Sequence, residues 1–224
     1  EINVPQRPFE IENVDTVTVP LAQSGYTTEY LRYRITINDR PNETNYYRIV
    51  IDKQTTLWGY NHEEGGDDYI YWTKHSYNFI GREDVVLTDG QPTTGDDEDN
   101  GLFDTAKNIY GVFDDTRFRN TSYTMTVYNN TKIETGSDSG YFSGMDVIIR
   151  LMSITETEYY YLKALNLVDS DAYDETINEP IKYPSNVHGG TGMVGISTEV
   201  TQTIHIISSS HSKGNLAPPV HVYQ

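Results

Sequence analysis

Apolar and polar side chains alternate with a period of two along much of this chain. Leu31, Tyr33, Ile35 and Ile37 fall on one side of a segment whose other side carries Arg32, Arg34 and Thr36. That is the signature of a half-buried strand. The same rhythm, or a run of β-branched and aromatic residues, predicts strands at 14–19, 45–52, 69–73, 109–113, 121–128, 146–154, 192–196 and 200–207. Pro41 lies in the turn Asn38–Glu43 and cannot donate to a ladder. The strands on either side of that turn, 30–37 and 45–52, therefore read as a hairpin. Residues 53–108 are the least regular part, with a short strand at 69–73 between acidic, glycine-bearing runs.

One segment departs from the two-residue rhythm. Thr155 followed by Glu158 has the capping-box spacing, which satisfies two free N–H groups at a helix start. Glu156 and Glu158 suit the positive end of the helix dipole. Tyr161, Leu162, Leu165 and Val168 form one apolar stripe, so a helix is predicted over 155–169. The fold class expected is all-β, an antiparallel β-sandwich or barrel of about nine strands with one α-helix. Residues 1–13 read as an extended lead-in or linker, 14–207 as a single β domain and 208–224 as a tail.

Composition narrows the chemistry. The 224 residues contain no cysteine, which removes thiolate catalysis, zinc–cysteine sites and disulfides together. Sixteen Lys and Arg stand against 33 Asp and Glu, a net charge of −17. Such a chain repels phosphate backbones, so nucleic acid is not an expected partner. The aliphatic runs are short; Val147-Ile148-Ile149 ends at Arg150, and no helix here could span a bilayer. Membrane association is expected only through a lipid anchor outside this chain.

Candidate sites are few. Trp58, Tyr60, Tyr71 and Trp72 sit in the irregular region beside acidic loops, where aromatic rings can stack on sugars or peptide side chains. The alternative is that they pack beneath a long loop. Asp96, Asp97, Glu98 and Asp99 offer clustered oxygens for weak Ca²⁺ binding. The EF-hand register fails there, since Lys107 falls where the bidentate Glu belongs, and a solvated acidic loop is the alternative. No cofactor is otherwise expected. The six histidines show no HExxH spacing, and no G-x-S-x-G elbow occurs. Asn186–Gly192 is glycine-rich but has no Lys and precedes a predicted strand; its glycines read as backbone turns rather than a phosphate cradle.

Four segments in order resemble a family of outer-membrane lipoproteins from Bacteroidetes, the domain-of-unknown-function family 4249. They are Asn42–Ile49 ("NYYR"), Phe113–Tyr123, Ile154–Leu165 and Pro184–Gly195. Asp114, Asn120 and Val194 depart from the residues usual in that family, which are Ser, Gly and an aromatic. The resemblance implies a C-terminal part of a longer lipoprotein, or a short member, anchored at the outer membrane and exposed to the periplasm or the surface. The resemblance names no ligand or reaction, but places such proteins beside TonB-dependent transporters; with no catalytic motif in the chain, the expectation is a non-enzymatic domain that binds a nutrient ligand, such as a surface glycan or peptide, or a partner protein alongside such a transporter. A structural or adhesive surface module is the alternative, and a glycan hydrolase a more distant one.

Overall fold

A computed structural model describes residues 11–20, 27–39, 42–60, 69–77, 84–90, 108–130, 141–169 and 181–207. Only the backbone is described at 11–20, 27–30, 58–60, 69–71, 130, 141–143 and 206–207. The strands are β1 (Ile11–Pro20), β2 (Thr27–Asn38), β3 (Tyr46–Tyr60), β4 (Tyr69–Ser76), β5 (Val112–Asp114), β6 (Ser122–Asn130), β7 (Tyr141–Ile154) and β8 (Thr198–Ile207). The helix α1 (Glu156–Val168) lies between β7 and β8. One antiparallel sheet has the order β1-β2-β6, and the other β4-β3-β7-β8, with β5 also pairing β3. The sheets stay open, so the architecture is the sandwich and not the barrel.

The alternation at Leu31, Tyr33, Ile35 and Ile37 does what its period requires: all four are buried. They meet Met125 and Val127 of β6, Tyr47, Ile49 and Ile51 of β3, and Met145, Val147, Ile149 and Leu151 of β7 in one core. Every second residue of each central strand thus faces the other sheet. Phe118 enters from the segment before β6, its ring stacked on Tyr123 at 5.3 Å and 6.4 Å from Tyr47.

Three sequence expectations are corrected. β2 and β3 are not a hairpin: β2 pairs β1 and β6, whereas β3 pairs β4, β5 and β7. Their connection crosses between sheets, and Asp39 and Asn45 fasten it through side-chain bonds to the segment before β6. No strand forms at 192–196, although β8 starts at Thr198. Instead the Asn186 side chain brackets Val194, accepting from its N–H at 2.8 Å and donating to its carbonyl at 2.7 Å. Those two bonds consume the backbone groups a ladder would need. Finally, β3 continues through Tyr60, so part of the nominally irregular region is regular. Among the described residues no helix is long and apolar enough to cross a membrane.

Candidate functional site

Because successive strand residues point to opposite faces, the odd positions of β3 fill the core and the even ones lie on the other face. The register carries that face across four strands. His75 of β4 stands opposite Gln54 of β3, Gln54 opposite Asp146 of β7, and Asp146 opposite His205 of β8. One row therefore holds two histidines, an amide and a carboxylate. Asp52, two residues from Gln54 on the same face, completes it. Its carboxylate is 4% exposed and receives the Gln54 Nε2–H at 2.7 Å and His75 Nδ1 at 3.1 Å. At the other edge His205 Nδ1 lies 2.8 Å from Asp146 Oδ1, both side chains about half exposed. A carboxylate only accepts, so each Nδ1 carries the hydrogen and each Nε2 is left to meet solvent or ligand.

Aromatic residues flank this row. Tyr77, 58% exposed, stacks on the His75 ring at 6.1 Å and 16°. In the opposite direction along β3 the backbone register aligns Tyr71, Trp58 and Tyr141 across β4, β3 and β7, with Tyr60 opposite Tyr69 in the next row. Of the aromatic positions singled out in the sequence, Trp58, Tyr60 and Tyr71 are thus brought into adjacent rows. Trp72 is not; it is opposite Leu57, whose side chain is wholly buried, and falls on the core side. Trp58 and Tyr60, expected in the irregular region, belong to β3, whereas Tyr71 and Trp72 lie in β4, as the strand predicted at 69–73 requires. Asp96, Asp97, Glu98 and Asp99 lie outside the described residues. Among the described residues no three His, Asp or Glu side chains converge as metal ligands.

A second constellation surrounds α1. Thr155 caps the helix, its Oγ1 accepting from the Glu158 N–H at 3.3 Å. The return arm of the capping box is not made. Among the described residues Glu158 Oε2 is buried without a hydrogen-bond partner, and burial pushes that carboxyl above its usual range while Arg48 draws it down. The buried face of α1 is Tyr159, Leu162 and Asn166, rotated from the predicted stripe, with Tyr161 and Leu165 only partly covered. Polar ties account for the rotation. The Tyr159 hydroxyl donates to Asp114 Oδ2 at 3.1 Å. Asn166 accepts from the Tyr110 N–H at 3.0 Å and donates to Asn108 Oδ1 at 2.9 Å. Burial pushes Asp114 up, but the bonds from Thr116 and Tyr159 and the charge of Lys163 outweigh it, so its carboxyl lies below the ordinary value.

The segments that carry the sequence resemblance meet at this end of the molecule. Asp115, wholly buried, accepts from the Asn45 N–H at 2.7 Å, from Asn45 Nδ2 at 3.1 Å and from Arg119 at 3.1 Å. Tyr46 donates to Glu156 at 3.1 Å and packs on Tyr159 at 4.8 Å. Gly195 lies so close to Glu158 that an added Cβ would stand 2.8 Å from its Cδ. In Pro184–Gly195 the positive φ at Gly189 and Gly192 matches the turn role read from the sequence. The profile of the family described as Domain of unknown function (DUF4249) matches residues 1–203.

The chain belongs to the DUF4249 family. The side chains that hold the DUF4249 segments together are used in internal hydrogen bonds, whereas on β4-β3-β7-β8 the His75, Asp146 and His205 side chains are each about half exposed. No curated protein matches this DUF4249 chain. The His–Asp pairs carried no motif that sequence reading could have caught, because each joins residues from different strands; the available signal was His205 within an alternating strand and the strand at 69–73 beside His75.

Proposed function

We propose that this chain is a non-enzymatic binding domain of a bacterial envelope lipoprotein, and that the outward face of the five-stranded sheet is its ligand surface. One observation carries the reading: the register gathers Tyr71, Trp58, Tyr141 and the His75–Gln54–Asp146–His205 row onto the same face. Aromatic residues give large contact area at low entropic cost, and fixed polar groups beside them give orientation. Binding is proposed over catalysis because the sequence carries no catalytic motif; the Asp52 carboxylate, occupied by Gln54 and His75, serves to orient the His75 ring. A carboxylate so held is a positioning group and not a free acid or nucleophile. The envelope location, the lipid anchor outside this chain and a TonB-dependent transporter as neighbour follow from the family resemblance and belong to the same proposal. The test is a combined glycan and peptide array with a pull-down of envelope proteins. A captured ligand or transporter whose binding is lost in Trp58→Ala supports the reading. Capture unaffected by Trp58→Ala and His75→Ala would refute it.

A further inference from the structure

Resting on the ligand-surface reading, we infer that this face takes a neutral oligosaccharide laid along β3. Charge supplies the first argument. Each histidine is hydrogen-bonded to an aspartate, His75 to Asp52 and His205 to Asp146, and the row made by these residues and Gln54 contains no Lys or Arg to hold an anionic group. The chain as a whole carries −17 and repels uronic-acid and sulfated polymers. A hydroxyl both donates and accepts, and this row supplies both: the Gln54 amide, two imidazole Nε2 atoms, the Asp146 carboxylate, and the exposed Thr73 and Thr203 on neighbouring positions of the same face.

Geometry supplies the second argument. Trp58 lies four positions beyond Gln54 along β3, about 14 Å at the rise of an antiparallel strand. One sugar ring cannot touch both rows, whereas a short chain of rings can. Tyr77 bounds the polar row on its other side, so apolar contacts bracket hydrogen-bonding ones along a line. An extended peptide is disfavoured on the same grounds. Peptide strands are recognised by main-chain bonds at a sheet edge, but β3 and β7 are internal strands whose ladders are occupied on both sides.

The experiment uses the full chain against an array of neutral glycans, uronic-acid glycans and peptides, followed by calorimetry on the hits. Neutral glycans are expected to bind, trisaccharides and longer at least tenfold more tightly than monosaccharides. Trp58→Ala and His75→Ala should each weaken binding tenfold or more, and Tyr160→Ala on α1 should leave it unchanged. Tyr77 is exposed and its replacement by Ala spares the core, so Tyr77→Ala keeps the test valid if Trp58→Ala fails to fold; it should weaken binding at least threefold. A peptide hit abolished by these variants would overturn the sugar assignment while preserving the binding face. Hits of any class untouched by them would overturn both. An array with no hits, hits confined to uronic-acid glycans, or equal affinity for monosaccharides would overturn the oligosaccharide. Release of new reducing ends would overturn binding without cleavage.

Discussion

Replacing Tyr33 by Phe should make this protein more stable. Tyr33 lies in β2 opposite Val127, its side chain wholly buried in the shared core and its hydroxyl without a hydrogen-bond partner among the described residues. Burial alone pushes the phenol's pKa far above its ordinary value. Leaving a buried hydroxyl unsatisfied costs about 1–3 kcal/mol relative to water. Phe keeps the ring, so the substitution removes that cost while giving up only the few contacts of one oxygen atom. The expected net gain is about 1 kcal/mol, which for a chain of this size raises Tm by about 2–4 °C. Tyr123→Phe is the matched control. Its hydroxyl donates to Asp84 Oδ1 at 3.0 Å, and losing a bond to a carboxylate costs about 1.5–3 kcal/mol. Urea unfolding followed by fluorescence should therefore move the two midpoints in opposite directions at an unchanged m-value. A loss of about 1 kcal/mol or more in Tyr33→Phe would refute the reasoning; it would mean that the hydroxyl is satisfied and that this part of the core is wet.

Other perturbations have equally definite outcomes. Asp115→Ala strips three bonds from a wholly buried carboxylate and leaves the Asn45 N–H without its acceptor, while Asn45 Nδ2 keeps Asp39 and Arg119 keeps Thr44; it should cost about 2–3 kcal/mol, read as a fall in Tm of 4 °C or more at roughly 2–4 °C per kcal/mol. Asp84 and Asp114 should show opposite pH dependence. Burial raises Asp84 above 3.8 despite its bonds from Thr126, Tyr123, Val86 and Leu87, so the folded state holds that proton more tightly and the contribution fades as pH climbs through the folded pKa. Asp114 is lowered, so its contribution is present above 3.8 and fades as pH falls. Relative to wild type, the urea midpoint of Asp84→Asn should improve as pH rises from about 4 to 7, whereas that of Asp114→Asn should worsen as pH rises towards about 4 and stay level above it; parallel curves would contradict both. Asn186→Ala removes the bracket on Val194 in an exposed segment. It should lower Tm by only a few degrees, about 1 kcal/mol, but speed limited proteolysis within 181–197 severalfold.

The readable part of this fold is the part in which local pattern and tertiary packing agree. The alternation in β2 predicted which of its residues enter the core, β6 and β7 were legible as strands, and Thr155 marked the start of α1, because side-chain period and capping are local physics. The pairing of strands was not local. A short turn at Asn38–Glu43 suggested a hairpin, but Asp39 and Asn45 bond to Asn120 and Asp115, some 70 to 81 residues away in sequence, and those ties send β3 to the other sheet. The stripe on α1 was misplaced for the same reason: Asn166 is buried only because Asn108 and Tyr110 come to meet it. At the candidate site, three aromatic positions were legible as residue types, but the row that aligns Tyr71, Trp58 and Tyr141 exists only in the register of β4, β3 and β7. The His75–Asp52 and His205–Asp146 pairs were invisible, since a lone histidine in a strand carries no sign of its neighbour.

If the outward face of β4-β3-β7-β8 is where this domain meets its ligand, amide chemical-shift mapping with a bound oligosaccharide will show it. Perturbations should concentrate at 52–60 of β3, 69–77 of β4 and 141–148 of β7. Perturbations confined instead to α1 and residues 181–197 would contradict it.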